Sequence, residues 1–241
     1  MTDMTDMTDM TNREPKRLIA AAARGAFAQE GMPSMVVDIL NFALTLEYLE
    51  AEFYTRGVGT SGLIPPDMMP SFDQIRKHEV AHVQFLQGVL GSRAVAKPAF
   101  DFTAGNGSGN GPFADVFRNV QTFAMLAQTF EDTGVRAYKG QAANLIGHNA
   151  ALGPALKIHS VEARHACQVR RMRNKKGWIT GSSRGDLPEA AQGTYRGEGN
   201  TFQFILAQPD SNHNAQTEAF DEPLTKGQVL AIVQPFLAGG R

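Results

Sequence analysis

Residues 97 to 112, KPAFDFTAGNGSGNGP, cannot continue a helix, because glycine is costly in a helix interior and Pro112 suits a new first turn. The break lies between two pairs of segments with helical periodicity. From Met35 to Arg56, the residues Val36, Ile39, Leu40, Ala43, Leu44, Leu46 and Leu49 mark one apolar face, with Gly57 as a stop. A second helix is predicted from Ser71, which stands at capping-box spacing from Gln74, to Gly91. A third runs from about Phe113 to Gly140, reaching Ile146 at its furthest. A fourth runs from Pro154 to about Asn174, with Arg170, Arg171 and Arg173 suiting the negative end of its dipole. Two helical hairpins joined by one long connection constrain the chain to an all-α four-helix bundle with the long crossover between helices two and three.

The flanks are less regular. Residues 1–34 read as a tail and a short helix: MTDMTDMTDM is of low complexity, and the pattern from Pro15 to Gly31 fits an amphipathic helix. Lys16-Arg17 followed by LIAAAA also resembles a degraded export signal, although Arg24 interrupts its short apolar region. A cytoplasmic location is favoured, with export as the alternative. The bundle occupies 35–176, and 177–241 reads as an irregular C-terminal extension wrapped on it, too poor in apolar periodicity to be a domain of its own. Within it, TFQFILA (201–207) has a strand pattern, and Thr225 with Gln228 caps a last short helix through Val233, stopped by Pro235.

A hydrophobic content of 42% is ample for a core, and a net charge of −1 gives no basic excess to attract nucleic acid or an anionic membrane. No apolar run reaches the eighteen or so residues that span a bilayer. Cys167 is the single cysteine, so an internal disulfide is excluded.

The chemistry-bearing residues follow the hairpin plan. Helix one holds Glu47 with Tyr54 seven residues on; helix three holds Glu131 with Tyr138 seven residues on. Seven residues is two turns, so each Glu shares a face with its Tyr. Helices two and four hold Glu79-x-x-His82 and Glu162-x-x-His165, and no other Glu-x-x-His occurs in the chain. One Glu from each of two helices and Glu-x-x-His from each of the other two is the donor set of di-iron and di-manganese carboxylate bundles. Four carboxylates offset the charge of two divalent ions, iron or manganese, and each imidazole supplies one nitrogen. Glu47, Glu79, His82, Glu131, Glu162 and His165 are therefore the candidate ligands. Tyr54, Tyr138, Glu50 and His159 are candidate supporting groups around them; Glu50 lies only about 60° from Glu47 on the helix and rivals it. Asp132 rivals Glu131, while Glu52 and Arg164 should face away from the site.

HEVAH (78–82) is also a literal zinc-protease motif, in which His78 and His82 bind zinc and Glu79 is the general base. Phe85 stands where the metzincin glycine would be, and a protease would leave Glu47, Glu131, Glu162 and His165 unexplained. His78 is therefore expected to face elsewhere.

The segments DILNFALTLEYLEAEFY, the HExxH-containing helix, FEDTGVRAYKGQA, ALKIHSVEARHA and AFDEPLTKGQVLAIVQPFL resemble the ferritin-like domain family that includes the plant desiccation-related proteins and bacterial relatives. The resemblance covers about residues 36–175 and 219–237. It implies a ferritin-like bundle with the dinuclear ligand set intact and an association with desiccation and oxidative stress.

Redox chemistry on oxygen or hydrogen peroxide is the leading functional expectation: oxidase or ferroxidase if di-iron, peroxide dismutation if dimanganese. The alternatives are a stress or structural protein whose bundle is stapled by metal, and iron storage, which the crossover and the extension disfavour because a storage cage depends on a compact subunit. A homodimer is compatible with the first two.

Overall fold

The computed structural model describes residues 31–203 and 213–239. The MTD repeat and all but the last residue of the helix expected over 15–31 lie outside them. Four long helices form the body: α1 (Ser34–Gly59), α2 (Met69–Leu90), α3 (Val120–Ala142) and α4 (Asn149–Met172). α1 packs along α2 and α3 along α4, with lighter backbone approach between α1 and α3 and between α2 and α4. Three short helices follow, α5 (Gln192–Tyr195), α6 (His213–Glu218) and α7 (Lys226–Val233). Residues 201–203 of the expected strand are not in a strand, and 204–207 lie outside the described residues. No helix of the described residues is long and apolar enough to cross a membrane.

Several helix ends differ from expectation, each for a local reason. α1 runs through Gly57 to Gly59. Gly57 is a contact rather than a stop, since a Cβ there would lie 2.1 Å from the Phe123 ring of α3. α2 begins before Ser71, with Met68 at its N-cap and no side-chain cap. Ser71 instead accepts a hydrogen bond from Gln168 of α4. α3 starts at Val120 because the Asn119 side chain accepts from the Gln121 and Thr122 amides, a stronger start signal than the apolar spacing of 113–118. Phe113 and Val116 are buried through turns. α4 tolerates Pro154 inside its second turn, and starts five residues earlier than expected. The Thr225–Gln228 capping box forms as expected, and α7 ends at Val233 ahead of Pro235.

The buried apolar residues separate into two large groups along the bundle and a small third around Ile179, Leu187 and Tyr195. One gathers Phe53, Tyr54, Phe72, Phe123, Phe130 and Phe236 among others; the second gathers Ile39, Leu40, Leu44, Leu86, Val89 and Tyr138 with neighbours. Between them lies a layer of buried acids and histidines from all four long helices. Such a layer is expensive unless the charges are balanced, because desolvating an ion costs several kcal/mol.

The extension and the crossover are tied to the bundle by named bonds. Asp101 holds the glycine-rich loop by accepting from the Thr103 amide and hydroxyl and from the amides of Gly107 and Gly109. Its own amide donates to the Phe236 carbonyl, and Phe100 forms an isolated antiparallel bridge with Leu237. Arg136 of α3 is 1% exposed; it pairs with Glu198 at 2.6 Å and donates to the carbonyls of Thr194, Arg196 and Glu222. Arg170 does not merely face the end of the α4 dipole. Its guanidinium forks onto Asp132, at 2.9 and 2.5 Å, and Tyr195 of α5 donates to the same carboxylate.

Candidate metal centre

α1 contributes Glu47, α2 contributes Glu79 and His82, α3 contributes Glu131, and α4 contributes Glu162 and His165. All four carboxylates are fully buried, and His165 is nearly so. The helical repeat explains the local part: three residues turn the chain about 300°, so both donors of each Glu-x-x-His face one centre. Arg164, between them, is exposed.

The donors fall into two groups whose ligand atoms lie within 4.8 Å of one another: Glu47, Glu79, His82 and Glu162, and Glu79, Glu131, Glu162 and His165. Around His82 Nδ1 stand Glu47 Oε2 at 3.1 Å, Glu79 Oε2 at 3.3 Å and Glu162 Oε1 at 3.2 Å. Around His165 Nδ1 stand Glu79 Oε1 at 2.8 Å, Glu131 Oε2 at 3.3 Å and Glu162 Oε2 at 3.6 Å. Glu79 and Glu162 each give one oxygen to either group.

Most of these atoms have no other use. Glu79 Oε1, Glu131 Oε2, both Glu162 oxygens and His165 Nδ1 are buried without a hydrogen-bond partner; outside the cluster, only His159 Nδ1 and Glu198 Oε2 share that condition among the described residues. The approaches at His165 Nδ1 are short but lack hydrogen-bond geometry. Buried polar groups are seldom left so. Their convergence, as one nitrogen and three carboxylate oxygens per group, fits a metal ion of the iron or manganese kind.

Burial, and then the charge of Glu162, pushes the Glu79 carboxyl up to about 7. Burial pushes Glu131 up to about 8 against the pull of His165. Burial also acts to raise Glu162, but the two imidazoles outweigh it and hold that carboxyl well below its usual range. Burial disfavours charge on His82 and His165, and the carboxylates reverse this, led by Glu47 for His82 and Glu131 for His165. Glu50 is raised by burial and then by Glu162, Glu131, Glu79 and Glu47, in that order.

The supporting groups are arranged differently from the sequence pattern. Tyr54 of α1 donates to Glu131 Oε1 of α3 at 2.5 Å, and Tyr138 of α3 donates to Glu47 Oε1 of α1. Each tyrosine thus serves the other hairpin's acid. A residue two turns away is about 10 Å along its own helix, too far to reach its own Glu but well placed to reach across. Glu50 is buried beside the cluster but belongs to neither group. Asp132 is engaged with Arg170, and Glu52 pairs at the surface with Lys97. His159 is not brought into hydrogen-bond contact with the six donors. Its pKa is lowered by burial first and Lys139 second.

His78 corrects an expectation. It does not face away: its Nδ1 lies 2.9 Å from His165 Nε2, its ring stacks at 5.1 Å on the His165 ring, and its Nε2 meets exposed Gln74. His78 precedes Glu79 by one step around α2, and that step points toward α4. The position was findable from the literal HExxH; its direction depended on how α2 is rotated against α4.

An all-α bundle that buries four glutamates beside two histidines, one or two from each long helix, has the donor layout of four-helix carboxylate proteins. The chain belongs to the ferritin-like domain family, whose model matches residues 35–175. No curated protein matches the chain.

Proposed function

We propose that Glu47, Glu79, His82, Glu131, Glu162 and His165 hold two divalent metal ions, iron or manganese, and that the protein carries out redox chemistry on oxygen or hydrogen peroxide. The observation that carries this reading is the sharing of Glu79 and Glu162, each with one oxygen in either group. A metal pair cycling between +2 and +3 would supply the electrons. The chain's own residues do the rest. Glu79 and Glu162 fix the spacing of the two positions, Tyr54 and Tyr138 hold the outer acids in place, and His78 orients the His165 ring so that Nδ1 faces inward. The larger described cavities, about 200 and 510 Å³, are lined by none of the six donors. The four carboxylates are fully buried, and a substrate of two to four atoms suits such closed surroundings better than an organic molecule. A role in oxidative stress or desiccation protection is consistent with that chemistry.

The same burial favours one second reading, a stress or structural protein in which metal only ties the two hairpins together. One experiment separates the two. The protein is produced with iron and manganese both available, its metal is counted, and peroxide decay and oxygen uptake are followed. Two ions per chain with turnover are expected. Two ions with neither reaction would leave only the staple, and absence of metal would overturn both.

A further inference from the structure

The turn that carries Glu131, Glu162 and His165 toward the metal centre carries their successors elsewhere. Asp132, Ala163 and Ala166 follow them in the chain, about 100° further round their helices. They border a cavity of about 200 Å³, and the two small alanines help to leave it open. The extension supplies the facing wall, with Trp178 after α4 and Phe220 and Asp221 just beyond α6. None of the six donors lines the space. An engineered apolar cavity of roughly 150 Å³ holds benzene, so there is room here for a small organic molecule.

The walls decide what kind of molecule. Arg170 is neutralised by Asp132, and its third nitrogen donates to the Trp178 carbonyl. Glu218 is engaged too, accepting from Lys176 at 2.5 Å and from Thr180 at 2.6 Å. Asp221 differs. Lys139 donates to its backbone carbonyl, but among the described residues its carboxylate has no hydrogen bond or ion pair. Nor are its oxygens among the enclosed atoms that lack partners, so the carboxylate opens onto free space. Burial and then Asp132 raise its pKa, against the pull of Lys139, Arg170 and Arg136, as befits an acid with no close counter-ion. Beside it, Trp178 is 48% and Phe220 46% exposed. Only three aromatic rings are so exposed among the described residues, and two of them border this one cavity.

We infer that the cavity is a binding site for a small organic ammonium ion, held by the Asp221 carboxylate and the rings of Trp178 and Phe220. Rings and carboxylate both attract a cation. An anion would meet Asp221 with no free cation in the walls to offset it, and a neutral guest would leave that acid without a counter-charge. A methylated ammonium suits best, since its methyl groups pack on the rings and one acid satisfies its charge. The site stands apart from the metal centre and does not depend on it.

Trp178 is the only tryptophan, so its fluorescence reports on this place alone. The whole protein is titrated with tetramethylammonium chloride, tert-butyl alcohol and sodium pivalate, three guests of similar shape and different charge, with sodium chloride holding ionic strength constant. A saturable change is expected with tetramethylammonium alone. Phe220→Leu should weaken that binding roughly 5- to 30-fold, the worth of a partly desolvated cation–π contact. Asp221→Asn, which keeps the shape and removes the charge, should weaken it at least as much. Phe220→Leu keeps an apolar side chain in place, so it carries the test if Asp221→Asn does not fold. No saturable response to tetramethylammonium, equal responses to the three guests, or a folded variant of either kind that binds like the natural chain would overturn the inference. So would a response to phosphatidylcholine vesicles without one to the free ion, which would mark a lipid head-group site instead.

Discussion

Tyr54 of α1 donates its hydroxyl to Glu131 of α3 across the bundle, 2.5 Å away, and Tyr138 of α3 returns the same bond to Glu47 of α1. The exchange ties each outer acid to the opposite hairpin. Tyr54→Phe should leave Glu131 Oε1 buried with no donor, and Tyr138→Phe should do so for Glu47. Loss of a partner that orients a ligand lowers metal affinity by roughly 10- to 100-fold. Competition titration with a chelator should show that loss in each single variant. An affinity unchanged in both would mean that the tyrosines are plain core aromatics.

Metal uptake should release protons. Burial raises the carboxyls of Glu79 and Glu131 to about 7 and about 8, and the carboxylates hold protons on His82 and His165. Ions must displace those protons, so affinity should climb as pH rises from 6 to 8. The metal-free fold should behave in the opposite way. A carboxyl whose folded pKa is raised contributes stability below its unfolded value, near 4.5, and that contribution is lost as pH rises through 7 to 8. Melting of chelator-treated protein should therefore fall across this window while loaded protein holds. Calorimetry in buffers of different ionisation enthalpy counts the protons, and a count near zero at pH 6.5 would refute the account.

Shared and unshared acids should differ. Glu79 and Glu162 belong to both groups, Glu47 and Glu131 to one each. Glu79→Gln should weaken both positions, whereas Glu131→Gln should weaken only the one at His165. His82→Ala should lose much of the metal. His78→Ala should weaken only the His165 position, by roughly 10- to 100-fold, because His78 holds the far nitrogen of that histidine. Metal counts at limiting supply test this ranking, which fails if Glu79→Gln and Glu131→Gln prove alike.

Arg170 offers a stability test away from the donors. It forks onto buried Asp132, which also accepts from Tyr195. Arg170→Ala would strand that carboxylate, at a cost of about 3 to 5 kcal/mol. Arg170→Met combined with Asp132→Asn should recover most of the loss, as read by chemical denaturation of the loaded protein. If the double variant is no better than Arg170→Ala, the pair is not the cause.

Helical periodicity made the six donors legible, because a face repeats every three to four residues and the two hairpins carry the same spacing. It also set Arg164 outward, while leaving Asp132 as a rival to Glu131. What it left unread depends on how one helix is rotated against the next: the crossing of the tyrosines, His78 on His165, and Asp132 drawn to Arg170. Helix ends failed where a side chain outbid a pattern. Asn119 captures two amides and moves the start of α3 past Phe113, and Gly57, which resembles a stop, lets the Phe123 ring lie against α1.

The bond from the Asp101 amide to the Phe236 carbonyl, with the bridge from Phe100 to Leu237, sets an order of events during synthesis. Domains fold from the N-terminal side as the ribosome extends them. Both hairpins of the bundle can emerge and pair while the loop between them still lacks its clasp. Only when residues 236 and 237 leave the exit tunnel can that clasp fasten, so a nascent chain stalled shortly after α4 should carry a bundle whose crossover is still open to proteases.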